Sequence, residues 1–547
     1  MQQNQPAIAP EPPAPDAPPA PGGPPRPVRS PLLPLAAVAA AFALVQLLLV
    51  VPGRWLGWDE TVYVSQVDPR VPAAFFSAPR ARGVTFLVAP VLAVTSSPVV
   101  LHSCLALLSA AALVLGLWLW RGLLPTPVLV LAGALFAGLW PTLFYGPQVM
   151  PNLWVAFAGL AATGWVARAV TCGRAGRREA LGVGAAVAVA ALMRPTDAVW
   201  LACPLLVSVW WWGRGGLRRT LPVAVLGGLV VGGAQWVVEA YTSYGGLARR
   251  LHRASEIQGG LGWHVSFDDQ VRALQGSILC RPCTLPWRHP ETGLWWFALG
   301  ALTVAAAVWV AAAGRGRAQA PGLLPVGDGE PVLDRTRPLR VALLAGTAAA
   351  LPYLLTVDYA APRFLLPAYV QLVLPAAWVL FALTRTVAGG KEAARGAGGG
   401  RGPVGRVRPW AVAVLIAVLL GHEAVQFGVL RTVDARTLRG QTAIAEVAEA
   451  LHGAGVRSPC VISGEQALRI AYRAGCASRQ VGGHDGSITG AGLVRLARSQ
   501  PVAVVVPEAR RRPRWATGWR RVTLPVVSGL SGGRLRAYVA LPGEGRP

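Results

Sequence analysis

Gly57-Trp58-Asp59-Glu60-Thr61-Val62-Tyr63 follows the first long apolar run of the chain and sets two adjacent carboxylates where that run should leave a bilayer. The run itself, Pro31 to Val51, has about the ~20 residues a spanning helix needs. Arg26 and Arg29 flank its other end, and because cations favour the cytoplasmic flank, the first span leads outward. A Trp before the pair and a Tyr after it suit a membrane interface, where amphipathic rings settle at headgroup depth. Two readings of the pair stand side by side. Asp59 and Glu60 open a juxtamembrane helix, where acids favour the positive end of the helix dipole, or they are reactive acids presented at the membrane surface.

Composition extends the membrane reading to the whole chain. Of 547 residues, 53% are hydrophobic and only 14% charged, with 21 Trp, which excludes a string of soluble domains and indicates a polytopic membrane protein. The formal charge of +26 comes from 51 basic residues, all Arg except Lys391, against 25 acids. Much of that excess lies in short loops between apolar runs, where cations fix orientation and meet anionic headgroups; no nucleic-acid partner is expected. Abundant Ala, Gly and Arg with almost no Lys fit a GC-rich bacterium. Cys104 and Cys203 lie inside apolar runs and Cys172 borders one. Cys280-Arg281-Pro282-Cys283 and the pair Cys460 and Cys476 fall in segments expected outside, where disulfides persist, and Cys460 is expected to join Cys476. A lone CxxC without a second ligand pair is weak support for a metal.

Taken in order, residues 1–30 are Pro- and Ala-rich and expected to be a disordered cytoplasmic tail. Spans are expected at 31–52, 98–120, 126–145, 151–170, 179–194, 196–213, 220–240, 293–313, 340–357, 363–384 and 409–430. About 11 spans put the N terminus in the cytoplasm and the C terminus outside. Four consecutive inner loops then carry the arginine clusters around Arg177, Arg218, Arg335 and Arg406, as the positive-inside rule requires. Val84 to Val94 is apolar but too short to span, so it is read as a helix on the outer surface. Outer loops follow at 54–97 and 241–293. Residues 431–547 change character: helical spacing of Ile444, Val447, Ala448 and Leu451, then strands at 460–463, 502–506 and 534–541 and a helix at 466–472, make a small extracytoplasmic α/β domain. No Gly-rich fingerprint follows a strand there, so no nucleotide site is expected.

The order of these features resembles the GT-C superfamily of membrane glycosyltransferases, most closely the branch of protein O-mannosyltransferases and aminoarabinose-lipid transferases. Asp59-Glu60 matches the acidic pair that opens the first outer loop of such enzymes. Ser77-Ala78-Pro79-Arg80, followed by Val84 to Val94 and Ser97-Pro98, is similar to the loop that usually carries His-Pro-Pro before its short helix. Met193-Arg194-Pro195-Thr196 is similar to the Lys/Arg-Pro-Thr turn between two middle spans, and Arg363-Phe364-Leu365-Leu366-Pro367 to the Arg-Tyr-Leu-Leu-Pro entry of a late span. Ala78-Pro79 departs from His-Pro-Pro, and Asn152 stands where many relatives carry an acid.

The resemblance implies residues 31–430 as a GT-C-like transmembrane domain that moves a sugar from a polyprenyl-phosphate donor to a hydroxyl of a lipid, glycan or protein acceptor, on the outer face of a bacterial cytoplasmic membrane whose lipids surround it. Such a transfer needs a base for the acceptor proton and cations for the phosphate as charge collects on it. Asp59 is the candidate base and Glu60 its neighbour that orients the acceptor or tunes it. Arg82, Arg194 and Arg363, each at the expected outer boundary, are the candidate phosphate ligands; the plainer reading of each is a snorkelling or structural arginine. No cofactor is assigned with certainty, and a divalent metal is possible: Asp268, Asp269 and Asp358 could hold one or the acceptor. Two other readings remain: a secondary transporter, with ionisable residues near mid-membrane, and a non-catalytic scaffold for envelope assembly.

Overall fold

Prolines punctuate the apolar runs, and Pro98, Pro151 and Pro195 each stand in the first turn of a helix, where a fixed φ and a missing N–H cost nothing. The computed structural model describes residues 32–260, 262–314, 336–388, 409–525 and 534–543. The tail at 1–30 and the arginine-bearing loops at 315–335 and 389–408 lie outside them.

In chain order the helices are α1 (Leu32–Val45, continued by a π turn to Val50), α2 (Trp58–Val64), α3 (Gly83–Val94), α4 (Pro98–Trp118), α5 (Thr126–Ala137), α6 (Trp140–Tyr145), α7 (Pro151–Cys172), α8 (Arg177–Met193), α9 (Pro195–Trp212) and α10 (Leu217–Ser243). Then come α11 (Leu247–Ile257), α12 (Phe267–Ala273), α13 (Leu294–Gly314), α14 (Thr336–Leu355), α15 (Leu366–Ala388) and α16 (Pro409–Gly453). Among the described residues, eight helices are long and apolar enough to cross a membrane, so the chain is a multi-pass membrane protein. Of the other expected spans, 126–145 is broken into α5 and α6 at Gly138, while α8 and α9 have 17 and 18 residues. The most enclosed of these eight helices is α7, with 83% of its apolar window buried, against 17% at α13; α7 is the centre of the bundle, and α13 lies at its periphery. On α10, Gly232 meets α8 backbone to backbone: a Cβ there would stand 2.1 Å from the Ala188 carbonyl oxygen, the close approach that small residues permit between membrane helices.

After the last apolar run α16 does not stop. It continues as one 45-residue helix, so Ile444, Val447, Ala448 and Leu451 belong to its far end and the expected boundary at 430/431 falls inside it. A sheet and two short helices follow: β1 (Val461–Gly464), α17 (Ala467–Ala474), β2 (Ala477–Ser478), α18 (Gly490–Leu496), β3 (Val502–Pro507), β4 (Arg520–Thr523) and β5 (Leu535–Ala540). The strand order is β2-β1-β3-β5-β4. β1 runs parallel to β2 and β3, with Ile462 opposite Ala503, and β5 runs antiparallel to β3 and β4. The continuous apolar run of β3 is buried along nearly its whole length, as for a central strand. Disulfides join Cys460 to Cys476 and Cys280 to Cys283, while Cys104, Cys172 and Cys203 are free thiols.

The sheet sits over one end of the bundle, the end that carries 54–97 and 241–293. Tyr472 donates to Asp68 at 2.6 Å, Arg436 to the Gly276 carbonyl at 3.3 Å, and Arg54, directly after the first span, pairs with Asp434 of α16. Those ties enclose a cavity.

Candidate active site

The acidic pair lies in the first turn of α2. Gly57 precedes it in extended conformation, and the Glu60 carboxylate reaches back to accept the Gly57 N–H at 2.8 Å, the carboxylate half of a capping box. Successive helical residues point about 100° apart, so the two acids part company. Glu60 turns inward and is 2% exposed. Its Oε1 accepts the Val149 N–H at 3.0 Å and faces His102 Nε2 at 3.0 Å. Burial alone raises its pKa, but His102 and the two backbone donors outweigh it and hold the carboxyl below its ordinary range. Glu60 thereby ties α2 to α4 and to the segment before α7.

Asp59 faces the cavity. Its Oδ1 accepts from Arg80 and its Oδ2 from Arg363, the latter at 3.2 Å across 304 residues of sequence. Burial pushes this carboxyl up, and Arg80, Arg363 and, farther off, Arg194 more than cancel it, so Asp59 stays ionised below the usual carboxylate range. A group with a depressed folded pKa contributes stability above its unfolded pKa of about 4, and that contribution is lost as pH falls through the folded value.

Of the three expected phosphate ligands, the structure brings Arg194 and Arg363 to the cavity and turns Arg82 away. Arg363 enters on the 3-10 turn Pro362–Leu365 and also donates to the Tyr145 hydroxyl and the Ile278 carbonyl, each at 3.4 Å. Its Nε is buried without a partner. Arg194 caps α9, with Nε 3.0 Å from Asp197 Oδ2, an ion pair whose angle is not that of a hydrogen bond. Arg82 instead donates to Glu239 at 2.6 Å and lies over the Phe76 ring. Its place at Asp59 is taken by Arg80, two residues earlier. The reason is the loop backbone: Arg250, fully buried, donates to the Ala78 and Arg80 carbonyls at 3.0 and 2.9 Å and to Glu239 at 2.9 Å. This clamp fixes which way each side chain leaves. Gly83 then seats the loop on the α8–α9 turn, where a Cβ would stand 2.5 Å from the Leu192 carbonyl oxygen. Arg250 carried no motif and had no signal in the sequence.

The cavity measures ≈ 770 Å³ and is lined by Asp59, Arg80, Tyr145, Asn152, Arg194 and Arg363 on the bundle side, with Arg436, Arg469 and Asp485 from the chain after residue 430. Asn152 is 1% exposed, and neither polar atom of its side chain has a partner. Asp268, Asp269 and Asp358 are not among the lining residues; Asp268 pairs with Arg272. Among the described residues, no group of three His, Cys, Asp or Glu stands close enough to hold a metal.

The fold is similar to that of two solved membrane-protein structures. The chain is similar to ArnT from Cupriavidus metallidurans bound to undecaprenyl phosphate, with 14% identity over 94% of this chain and 99% of that one and a TM-score of 0.53. It is likewise similar to ArnT of the same organism in the apo state, at 13% identity, the same coverage and a TM-score of 0.55. No protein-family model and no curated protein matches the sequence.

Proposed function

We propose that the chain transfers a sugar from a polyprenyl-phosphate donor to an acceptor hydroxyl on the outer face of a bacterial cytoplasmic membrane. The observation that carries this reading is Asp59 held between Arg80 and Arg363 in the wall of a cavity at the end of the bundle. Arg363 stands at the start of a membrane-length helix and Arg194 in the turn between α8 and α9 on the same cavity, where a lipid-linked phosphate could reach both.

A phosphate entering beside Arg363 and Arg194 competes with Asp59 for guanidinium N–H groups, since bidentate forks suit both oxyanions. Donor binding thereby loosens Arg363, one of the cations that keep Asp59 weakly basic, and raises its affinity for a proton. The acceptor proton then passes to the Asp59 carboxylate as the acceptor oxygen bonds to the anomeric carbon. The bond from that carbon to the phosphate oxygen breaks, and polyprenyl phosphate leaves with the electron pair, its charge met by the arginines. Glu60 takes no proton in this scheme; it holds the turn on which Asp59 stands.

The test is transfer of labelled sugar from a polyprenyl-phosphate donor by protein in proteoliposomes supplied with envelope acceptors. Asp59→Asn keeps side-chain volume and removes the base. It is expected to insert normally, bind polyprenyl phosphate and lose about 10²-fold or more of transfer. Full transfer by this variant would return the acid pair to a structural role at a helix start.

A further inference from the structure

The cations of the cavity fall into two sets. On the bundle side, Arg80 and Arg363 share Asp59, Arg194 stands on Asp197 and Arg54 on Asp434. Arg281 also lines the cavity, donating to the Ile257 carbonyl at 2.8 Å and lying over the Tyr359 ring. On the sheet side, Arg436 of α16 and Arg469 of α17 line the same cavity together with Asp485, whose foremost charged neighbour is Arg80 rather than either of them. Among the described residues, neither has a carboxylate within 4.0 Å. Arg436 is exposed to the cavity mouth and has one carbonyl partner.

Arg469 is partly buried and donates both Nε and Nη2 to Gln466 Oε1, at 3.1 and 2.5 Å. Burial lowers its pKa and the nearest acid, Glu465, offsets that only in part; Glu465 itself accepts from Gln466 Nε2 at 3.3 Å. Gln466 is, among the described residues, the one non-glycine with positive φ, at 55°. A left-handed Gln costs free energy unless the surroundings enforce it, and such strain collects at ligand clamps. Here it places one amide oxygen against two N–H groups of a partly desolvated cation, leaving the guanidinium's other donors for a ligand.

Resting on the glycosyltransferase reading above, we infer that Arg436 and Arg469 form a second oxyanion subsite, and that the acceptor is a saccharide bearing a phosphate or a carboxylate. The donor phosphate does not serve both walls: its lipid chain tethers it to the ends of the membrane helices, whereas these two arginines come from the far half of α16 and from the sheet region. The volume of ≈ 770 Å³ lies in the small-molecule range and suits a short saccharide. Planar guanidinium forks recognise phosphate and carboxylate in the same bidentate way.

The test uses full-length protein in nanodiscs and three probes on one backbone: maltotriose, maltotriose 6-phosphate and maltotriose oxidised to a terminal uronate. Wild type is expected to bind at least one anionic trimer about tenfold or more tighter than the neutral one, the scale of a hydrogen bond to a charged group. Arg469→Gln and Arg436→Gln should each erase most of that preference while leaving undecaprenyl phosphate binding unchanged. Arg436→Gln alters an exposed helical position and serves if Arg469→Gln fails to fold. Equal binding of all three trimers by wild type, or an undiminished preference in the variants, would overturn the subsite; loss of undecaprenyl phosphate binding in the variants would reassign the two arginines to the donor. Should wild type fail to bind undecaprenyl phosphate while still preferring an anionic trimer, the donor reading falls and the subsite stands.

Discussion

The bundle-side and sheet-side walls of the cavity carry the same residue type in opposite states. On the first, arginines are held by carboxylates and aromatic rings: Arg54 lies over Phe144 and on Asp434, and Arg194 near Tyr353 and Phe364. On the second, Arg436 and Arg469 rest on a carbonyl and an amide. Paired charges in a partly dry wall fix geometry, because removing one partner strands the other. Arginines bound only to neutral oxygens leave charge for a ligand. A ligand anion must therefore compete with an acid for the first set, as proposed for the donor phosphate at Arg363 and Arg194, and meets no such competitor at the second.

Substitutions break the comparison in graded ways. The largest stability effect is expected from Arg54→Ala, which leaves Asp434 without its cation and unties α16 from the exit of the first span. It should cost about 3–5 kcal/mol, read as an earlier unfolding midpoint of purified protein; an unchanged midpoint would remove the pairing from the frame. Glu60→Gln should cost less, about 1–3 kcal/mol, since it weakens the contacts to Gly57, Val149 and His102 while Asp59 remains. Its transfer rate should fall less than that of Asp59→Asn, and an equal or greater fall would make Glu60 the reacting acid. The smallest effect sharpens the electrostatics. Arg80→Gln removes the strongest cation on Asp59, so the folded pKa of that carboxyl rises and the acid limb of the transfer profile moves to higher pH. A limb that stays in place would show that Asp59 does not set it.

Part of the cavity lining was legible in the sequence, for local reasons. An acid pair after a spanning run and an arginine before Pro195 are short-range patterns, and hydrophobic length alone placed most spans. What escaped depends on contacts across the chain. Arg82 and Arg80 differ by two positions in an irregular loop, and the choice between them is made by Arg250, 170 residues from Arg80. Nothing in hydropathy marks the continuation of α16 past its membrane portion, because its far half buries an apolar stripe against the sheet as a soluble helix would. The parting of Asp59 from Glu60 follows from the helical turn, yet which of the two faces the cavity is decided by His102 and Val149.

Binding of undecaprenyl phosphate to purified full-length protein is the most direct measurement of the central claim, comparing wild type with the double variant Arg194→Ala/Arg363→Ala. Saturable binding by wild type, weakened about 10²-fold or more in the variant, is the expected result. Binding of equal strength in both would contradict a lipid-phosphate site at Asp59.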